Sequence, residues 1–239
     1  MATLTGATIV FDLDGTLVDT APDIRAAANQ VIVDRGLRTL DLAEVRGLIG
    51  HGARGFFLQV FSRAGFNAGE WELTLATEQF RDLYLVDIAR ESRPFPGAVD
   101  ALDSLMASGA ALALCTNKAE QQTRALLRAL SLSSRFAAVA TPESAGAAKP
   151  DPTHLLAAIA GAAGRPDRAI MVGDSKADAD AARAAGVPLI LVDFGYCDGG
   201  VAALEPDATI SHFRELEGVA VRLLGAGAAA IAPSPALDA

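Results

Sequence analysis

The chain has 239 residues, 51% of them hydrophobic, and its 29 acidic against 20 basic side chains give a net charge of -9. That size allows one large core, or a core with a smaller companion domain, and the negative balance argues against a nucleic-acid backbone as partner. Two widely spaced cysteines, Cys115 and Cys197, without metal-ligand spacing, no apolar stretch as long as a membrane span and no basic leader make the expectation a cytoplasmic protein that engages no membrane.

The first element is the apolar run Ile9-Val10-Phe11, which opens into Asp12-Leu13-Asp14-Gly15-Thr16. A strand ending there delivers two carboxylates to its carboxyl end, the ligand edge of an open α/β sheet, and Gly15 allows the chain to turn beside them. The next stretch is helical in pattern. Ile24, Ala28, Val31 and Ile32 form one apolar face, Phe57, Val60, Phe61 and Ala64 a second, and Trp71, Leu75, Phe80, Leu83 and Tyr84 a third and longer one. Roughly 70 helical residues exceed what a crossover helix needs, so residues 18–92 read as an inserted all-α domain. Its linkers fall near Leu17 to Ala21 and Ser92 to Pro96, two adjacent crossings that suit a hinge.

From Pro94 onward helical and strand-like segments alternate. Val99, Leu102, Leu105 and Met106 lie at helical spacing before the strand Ala110 to Cys115, and Glu120 to Leu130 forms a helix before the strand Phe136 to Ala140. Leu155, Leu156, Ile159 and Ala163 mark a helix before the strand Ala169 to Val172. Lys176 to Ala185 is a helix before the strand Val187 to Val192. Ala208 to Ile210 and a helix from Phe213 to Leu224 close the pattern. Such alternation predicts an α/β fold with a doubly wound parallel sheet built from residues 1–17 and 93–224. The Gly-, Ala- and Pro-rich residues 225–239 are expected to be a disordered tail.

Three further groups fall at predicted strand ends or in the loops beside them. Thr116-Asn117-Lys118 follows one strand, Lys149 stands in Lys149-Pro150-Asp151-Pro152, and Gly173-Asp174-Ser175-Lys176-Ala177-Asp178 follows another. Singly, each has an ordinary reading as a turn, a helix cap or a solvated lysine. Together, at one edge of a parallel sheet, they form a phosphate-handling set. Asp12, Asp14 and Asp174 offer hard oxygens for Mg²⁺, which lessens their mutual repulsion and lets a carboxylate approach phosphate as a nucleophile. Thr116 and Lys149 supply hydrogen bonds to the phosphoryl oxygens, and an exposed helix N-terminus follows Asn117.

These motifs, spanning Ile9 to Asp178, resemble those of the haloacid dehalogenase superfamily. The resemblance implies a Rossmann-like core with a C1-type helical cap and Mg²⁺-dependent phosphohydrolase activity through an aspartyl-phosphate. Asp12 would then be the nucleophile and Asp14 the general acid and base, with Thr116, Asn117 and Lys149 on the phosphoryl group. Mg²⁺ would be held by the Asp12 and Asp174 carboxylates and the Asp14 carbonyl, with Asp178 and Ser175 behind them. Asp19-Thr20-Ala21-Pro22-Asp23-Ile24 and Ile49-Gly50-His51-Gly52-Ala53-Arg54 resemble bacterial phosphoglycolate phosphatases, although that family more often has an uncharged residue where His51 stands. The implied substrate is a small phosphorylated metabolite, most closely 2-phosphoglycolate, with Arg54 placed to meet its carboxylate and the protein acting as a monomer or homodimer.

Alternatives separate on residues. Asp14 argues against a dehalogenase, and an insert without lysine argues against a Schiff-base phosphonatase, since the chain's lysines are Lys118, Lys149 and Lys176. A pyrophosphatase and a sugar-phosphate phosphatase or mutase stay open. A phospho-aspartate signalling switch is disfavoured by the helical insert, and a catalytically dead binding protein by the retention of Asp12, Asp14, Lys149 and Asp174.

Overall fold

Ile9, Val10 and Phe11 point alternately to two faces and all are apolar, so the strand they form has to be covered on both sides. The computed structural model, which describes residues 4–197 and 199–230, meets that demand by setting β1 (Thr8–Phe11) inside a six-stranded sheet. After β1 come β2 (Val18–Asp19), α1 (Ala21–Val33), α2 (Leu42–Arg46), α3 (Gly52–Arg63), α4 (Glu70–Val86) and β3 (Arg93–Pro94). Then follow α5 (Ala98–Ala107), β4 (Ala111–Cys115), α6 (Glu120–Ala129), β5 (Ala138–Ala140), α7 (Pro142–Ala145) and α8 (Pro152–Gly161). The chain continues through β6 (Ala169–Gly173), α9 (Lys176–Ala185), β7 (Leu189–Val192), β8 (Ala208–Ile210) and α10 (Leu216–Ala230).

The sheet order is β5-β4-β1-β6-β7-β8, every pairing parallel. Ile9, Phe11, Leu112, Leu114, Ile170 and Val172 face one layer with Leu102, Leu105, Leu126 and Leu216, all buried. Val10, Ala113, Cys115 and Met171 face the other, against Leu155, Ile159, Ala179 and Ala182. Period-two alternation thus splits one apolar run between two cores. The order runs outward from β1 through β4 to β5 and then returns to β1's other side at β6, which makes the carboxyl end of β1 the switch point of the sheet.

Between β2 and β3, helices α1 to α4 surround their own apolar cluster, which includes Ile24, Val31, Leu48, Phe57, Phe61, Phe80 and Tyr84. Phe57 and Phe80 meet edge to face with centroids 5.6 Å apart, the quadrupole-favoured arrangement. β2 and β3 pair antiparallel, Val18 with Pro94 and Asp19 with Arg93, so the two connections run side by side. Buried Asp23 in the first turn of α1 reinforces that junction. It accepts hydrogen bonds from the Glu91 and Ser92 amides and from the Ser92 hydroxyl at 2.6 Å.

Some elements differ from the sequence expectation. Trp71 is 73% exposed, and the buried face of α4 is Leu73, Ala76, Phe80 and Tyr84. Trp71 and Leu73 stand about 200° apart on a helix, so only one could point inward with Phe80. The five-residue α2 and the two-residue β2 and β3 are too short to print a periodicity, although Asp41 and Glu44 form the capping box that starts α2. Phe136 and Ala137 lie between a 3₁₀ turn at Ser133–Arg135 and β5 and do not join the strand. A second 3₁₀ turn, Phe213–Glu215, precedes α10, which runs past Leu224 to Ala230; this corrects the disordered reading for 225–230, where alanine favours helix. The rest of the expected tail, 231–239, lies outside the described residues. No helix among the described residues is long and apolar enough to cross a membrane.

Candidate active site

Asp12 leaves the end of β1 with its amide bonded to the Val172 carbonyl of β6 at 2.9 Å, so the backbone holds it at the switch point. Its side chain is buried and meets Lys149 Nζ at 2.8 Å. The same ammonium donates to Asp178 Oδ1 and to the Cys115 carbonyl, each at 2.7 Å, so its three protons have three acceptors. Lys149 is itself held by its backbone amide, which donates to Asn117 Oδ1 at 2.9 Å and reaches His154 Nδ1 at 3.2 Å. Thr116 is buried at the end of β4, beside this loop.

Asp174 follows β6 and is also buried. Thr16 Oγ1 donates to one of its oxygens at 2.8 Å, and the Tyr196 amide donates to the other at 2.7 Å. Gly15, at φ +87°, has no room for a side chain: a Cβ there would come within 2.4 Å of Asp174 Oδ2. Asp178 turns back from the first turn of α9, and its Oδ2 accepts from the Ser175 hydroxyl at 2.6 Å and from the Ser175 and Asp174 amides. Ser175 and Asp178 form the capping box of α9, so helix initiation and site geometry share the same bonds.

Oxygens of Asp12, Asp174 and Asp178 all lie within 4.8 Å of one another. Burial raises the Asp12 carboxyl above its ordinary range, Lys149 works against that rise and Asp178 adds to it. Burial also raises Asp174, and repulsion from Asp178 and Asp12 adds to the effect. Burial alone would lower the Lys149 ammonium, but Asp12 and Asp178 override it and the net shift is upward. Of these three buried carboxylates, Asp12 and Asp178 bond the Lys149 ammonium and Asp174 bonds none, a hard-oxygen donor set able to hold a divalent cation.

That balance sets a pH dependence. Above the ordinary carboxyl value of 3.8, raised carboxyls make the folded protein hold more protons than the unfolded chain, so its stability falls as pH rises toward the folded values. A divalent cation replaces those protons. Its addition is therefore expected to raise the thermal midpoint more at about pH 8 than at about pH 5. An equal shift at both, or a larger one in acid, would contradict a metal role for the cluster.

Asp14 has different partners. Thr20 Oγ1 donates to it at 2.6 Å, and Lys118 Nζ bonds both of its oxygens at 2.8 and 2.9 Å. Lys118 lies over the Tyr84 ring, 4.7 Å from its centroid, and joins the loop after β4 to helix α4. A cavity opens from Asp12 and Asp14 between Lys118 on one side and Ile24, Leu48, Phe56 and Phe80 on the other.

The structure brings together Asp12, Asp14, Thr116, Lys149, Asp174, Ser175 and Asp178. Two other sequence candidates stand differently. The Asn117 side chain spends its amide donors on the Gly50 and Lys149 carbonyls, both at 2.9 Å, so it ties the helical insert to the Lys149 loop and has no donor left for a phosphate. Arg54 points to solvent and pairs with exposed Glu70 at 2.7 Å, away from the cavity lining. Lys118 and Tyr196 belong to the site although the sequence reading gave them no role in it. Tyr196 bonds Asp174 through its amide, while its phenol accepts from the Thr20 and Ala21 amides at 2.8 and 3.1 Å and donates to Asp19 at 2.6 Å. Lys118 was legible as a cation directly after Thr116 and Asn117; Tyr196 carried no local signal.

The family model described as haloacid dehalogenase-like hydrolase matches residues 9–192, from the start of β1's apolar run to the end of β7. The chain belongs to this family. As a haloacid dehalogenase-like hydrolase it is 45% identical over 221 residues to the phosphoglycolate phosphatase of Caulobacter vibrioides, covering 92% of this chain and 93% of that one. It is 43% identical to the phosphoglycolate phosphatase of Mesorhizobium japonicum, with 87% and 92% of the two chains covered. Among solved structures, a predicted phosphoglycolate phosphatase from Haemophilus somnus superposes with a TM-score of 0.82 at 27% identity, over 92% of this chain and 99% of the other.

Proposed function

We propose that this hydrolase is a cytoplasmic, Mg²⁺-dependent phosphatase that converts 2-phosphoglycolate to glycolate and phosphate. The observation that carries the reading is the pairing of two differently partnered carboxylates at the switch point, Asp12 on Lys149 and Asp14 on Lys118. The phosphoglycolate phosphatases at 45% and 43% identity support the substrate.

In this reading an Asp12 carboxylate oxygen attacks phosphorus, an O–P bond forms, and the ester P–O bond breaks. Asp14 gives its proton to the departing glycolate oxygen and then takes one from the water that attacks the aspartyl-phosphate. Thr116 and Lys149 hold the phosphoryl oxygens. Asp12 and Asp174 with the Asp14 carbonyl would hold Mg²⁺, which when bound offsets charge on the phosphate. Residues 18–92 act as a C1-type cap over the site, swinging on the paired β2 and β3 connections.

The test is phosphate release from 2-phosphoglycolate, pyrophosphate, hexose phosphates and other small phosphomonoesters, compared by kcat/KM with Mg²⁺ and with chelator. The expected result is preference for 2-phosphoglycolate and loss of turnover on chelation. Equal or better turnover of pyrophosphate or a hexose phosphate would overturn the substrate, and full activity in chelator would overturn the metal.

A further inference from the structure

The phosphoryl group and the rest of the substrate make separate demands. Lys149 sits against Asp12 and Asp178, at the end of the site assigned to the phosphoryl group. Lys118 is partnered differently. Its ammonium is buried, with a side-chain exposure of 7%, and it lines the cavity beside Asp14. Two of its three N–H groups suffice for the two Asp14 oxygens, which leaves a donor for a further acceptor. Tyr84 beneath it favours a cation at that point and blocks water from that side.

A second cation lines the same cavity from the helical insert. Arg81 on α4 makes no ion pair among the described residues, and its backbone carbonyl is held over α6 by Gln122 Nε2 at 3.3 Å. The Gln122 Oε1 atom lies buried in this wall without a hydrogen-bond partner. Two cations and a spare acceptor thus line the same cavity as the carboxylates that handle phosphate.

We infer that Lys118, with Arg81 on the lining of the same cavity, receives the second anionic group of the substrate, the carboxylate that 2-phosphoglycolate carries one methylene from its ester oxygen. The inference rests on the phosphatase reading above and assigns its specificity. Lys118 and Arg81 bring two positive charges to the cavity that receives the incoming carboxylate. An ester with a neutral leaving group leaves both cations without that partner. The carboxylate receptor is then built half from the loop after β4 and half from α4, and Arg54 is not part of it.

The experiment compares 2-phosphoglycolate with ethyl phosphate, which replaces the carboxylate by a methyl group, in wild type, Lys118→Met and Arg81→Gln. The readout is the ratio of the two kcat/KM values, which cancels any effect of the substitution on Asp14 or on folding that both substrates feel alike. In Lys118→Met this ratio is expected to fall about 100-fold, and in Arg81→Gln about 10-fold, mainly through KM. Arg81 is exposed, so its variant keeps the test usable where Lys118→Met fails to fold. An unchanged ratio in Arg81→Gln, or equal loss on both substrates in Lys118→Met, overturns the inference while leaving the phosphatase reading intact. A wild type that does not prefer 2-phosphoglycolate over ethyl phosphate overturns the substrate reading itself, and the inference falls with it.

Discussion

Asp12→Asn is expected to lower phosphate release from 2-phosphoglycolate by at least about 10⁴-fold, the scale on which an enzyme loses rate when its nucleophile is removed. The amide matches the carboxylate in shape, and the backbone bond from residue 12 to the Val172 carbonyl is untouched, so the end of β1 keeps its place. Lys149 loses one anion but retains Asp178 and the Cys115 carbonyl. Burial already disfavours charge on Asp12, so the neutral amide costs the fold little. Circular dichroism and thermal unfolding close to wild type, together with the loss in a phosphate-release assay, are the expected pair of results. A folded variant with a tenth or more of the wild-type rate would show that Asp12 is not the nucleophile.

Lys149→Met should damage both stability and activity. Lys149 is the ammonium that bonds Asp12 and Asp178, and the substitution would leave those buried carboxylates unpaired, a change that typically costs about 3–5 kcal/mol. For a chain of this size that corresponds to a drop of roughly 6–20 °C in thermal midpoint. The sign of the pH dependence follows from the shifts. Lys149 is held above the ordinary lysine value, so its own contribution is fully present below that range and is lost only as pH rises through the raised value. Lys149 also lowers the Asp12 carboxyl, so removing it raises that carboxyl further. The variant's folded state then holds extra protons above the ordinary carboxyl range, and its deficit grows with pH. The gap in thermal midpoint between wild type and variant is expected to be narrow near pH 5 and wide near pH 8. A gap independent of pH would mean that Lys149 stabilises the protein through packing of its methylenes instead.

Haloacid dehalogenase-like chemistry was legible because its residues sit where a one-dimensional pattern ends. Ile9 to Phe11, Leu112 to Cys115 and Ala169 to Val172 are apolar on both faces, a local signature of buried parallel strands, and polar candidate-site residues come directly or within one residue after them. A parallel sheet brings its strand ends to one edge, so locating the ends was enough to bring Asp12, Thr116 and Asp174 near one another. Lys149 stands at no strand end. Its place was readable only as a cation after a loop, and its three acceptors come from β1, β4 and α9.

Helical residues were harder to assign. Trp71 and Leu73 are both large and apolar, and nothing within α4 decides which of them faces Phe80; packing against α1 and α3 does. Arg54 lay in a glycine-rich segment suited to substrate contact, yet α3 directs it outward to Glu70. Asn117 had the chemistry of a phosphate ligand, but carbonyls from two distant segments claim its amide.

The parallel sheet, the helical character of the stretch between β2 and β3 and the carboxylates at the switch point were legible in consecutive residues, because strand and helix periodicity and strand ends are local properties. Only the tertiary structure decided that Lys118 bonds Asp14, that Tyr196 holds Asp174 to the start of α1, and that Arg81 and not Arg54 lines the cavity. Those contacts join segments as far as 176 residues apart, and the direction of each side chain is set by neighbours that no local pattern encodes.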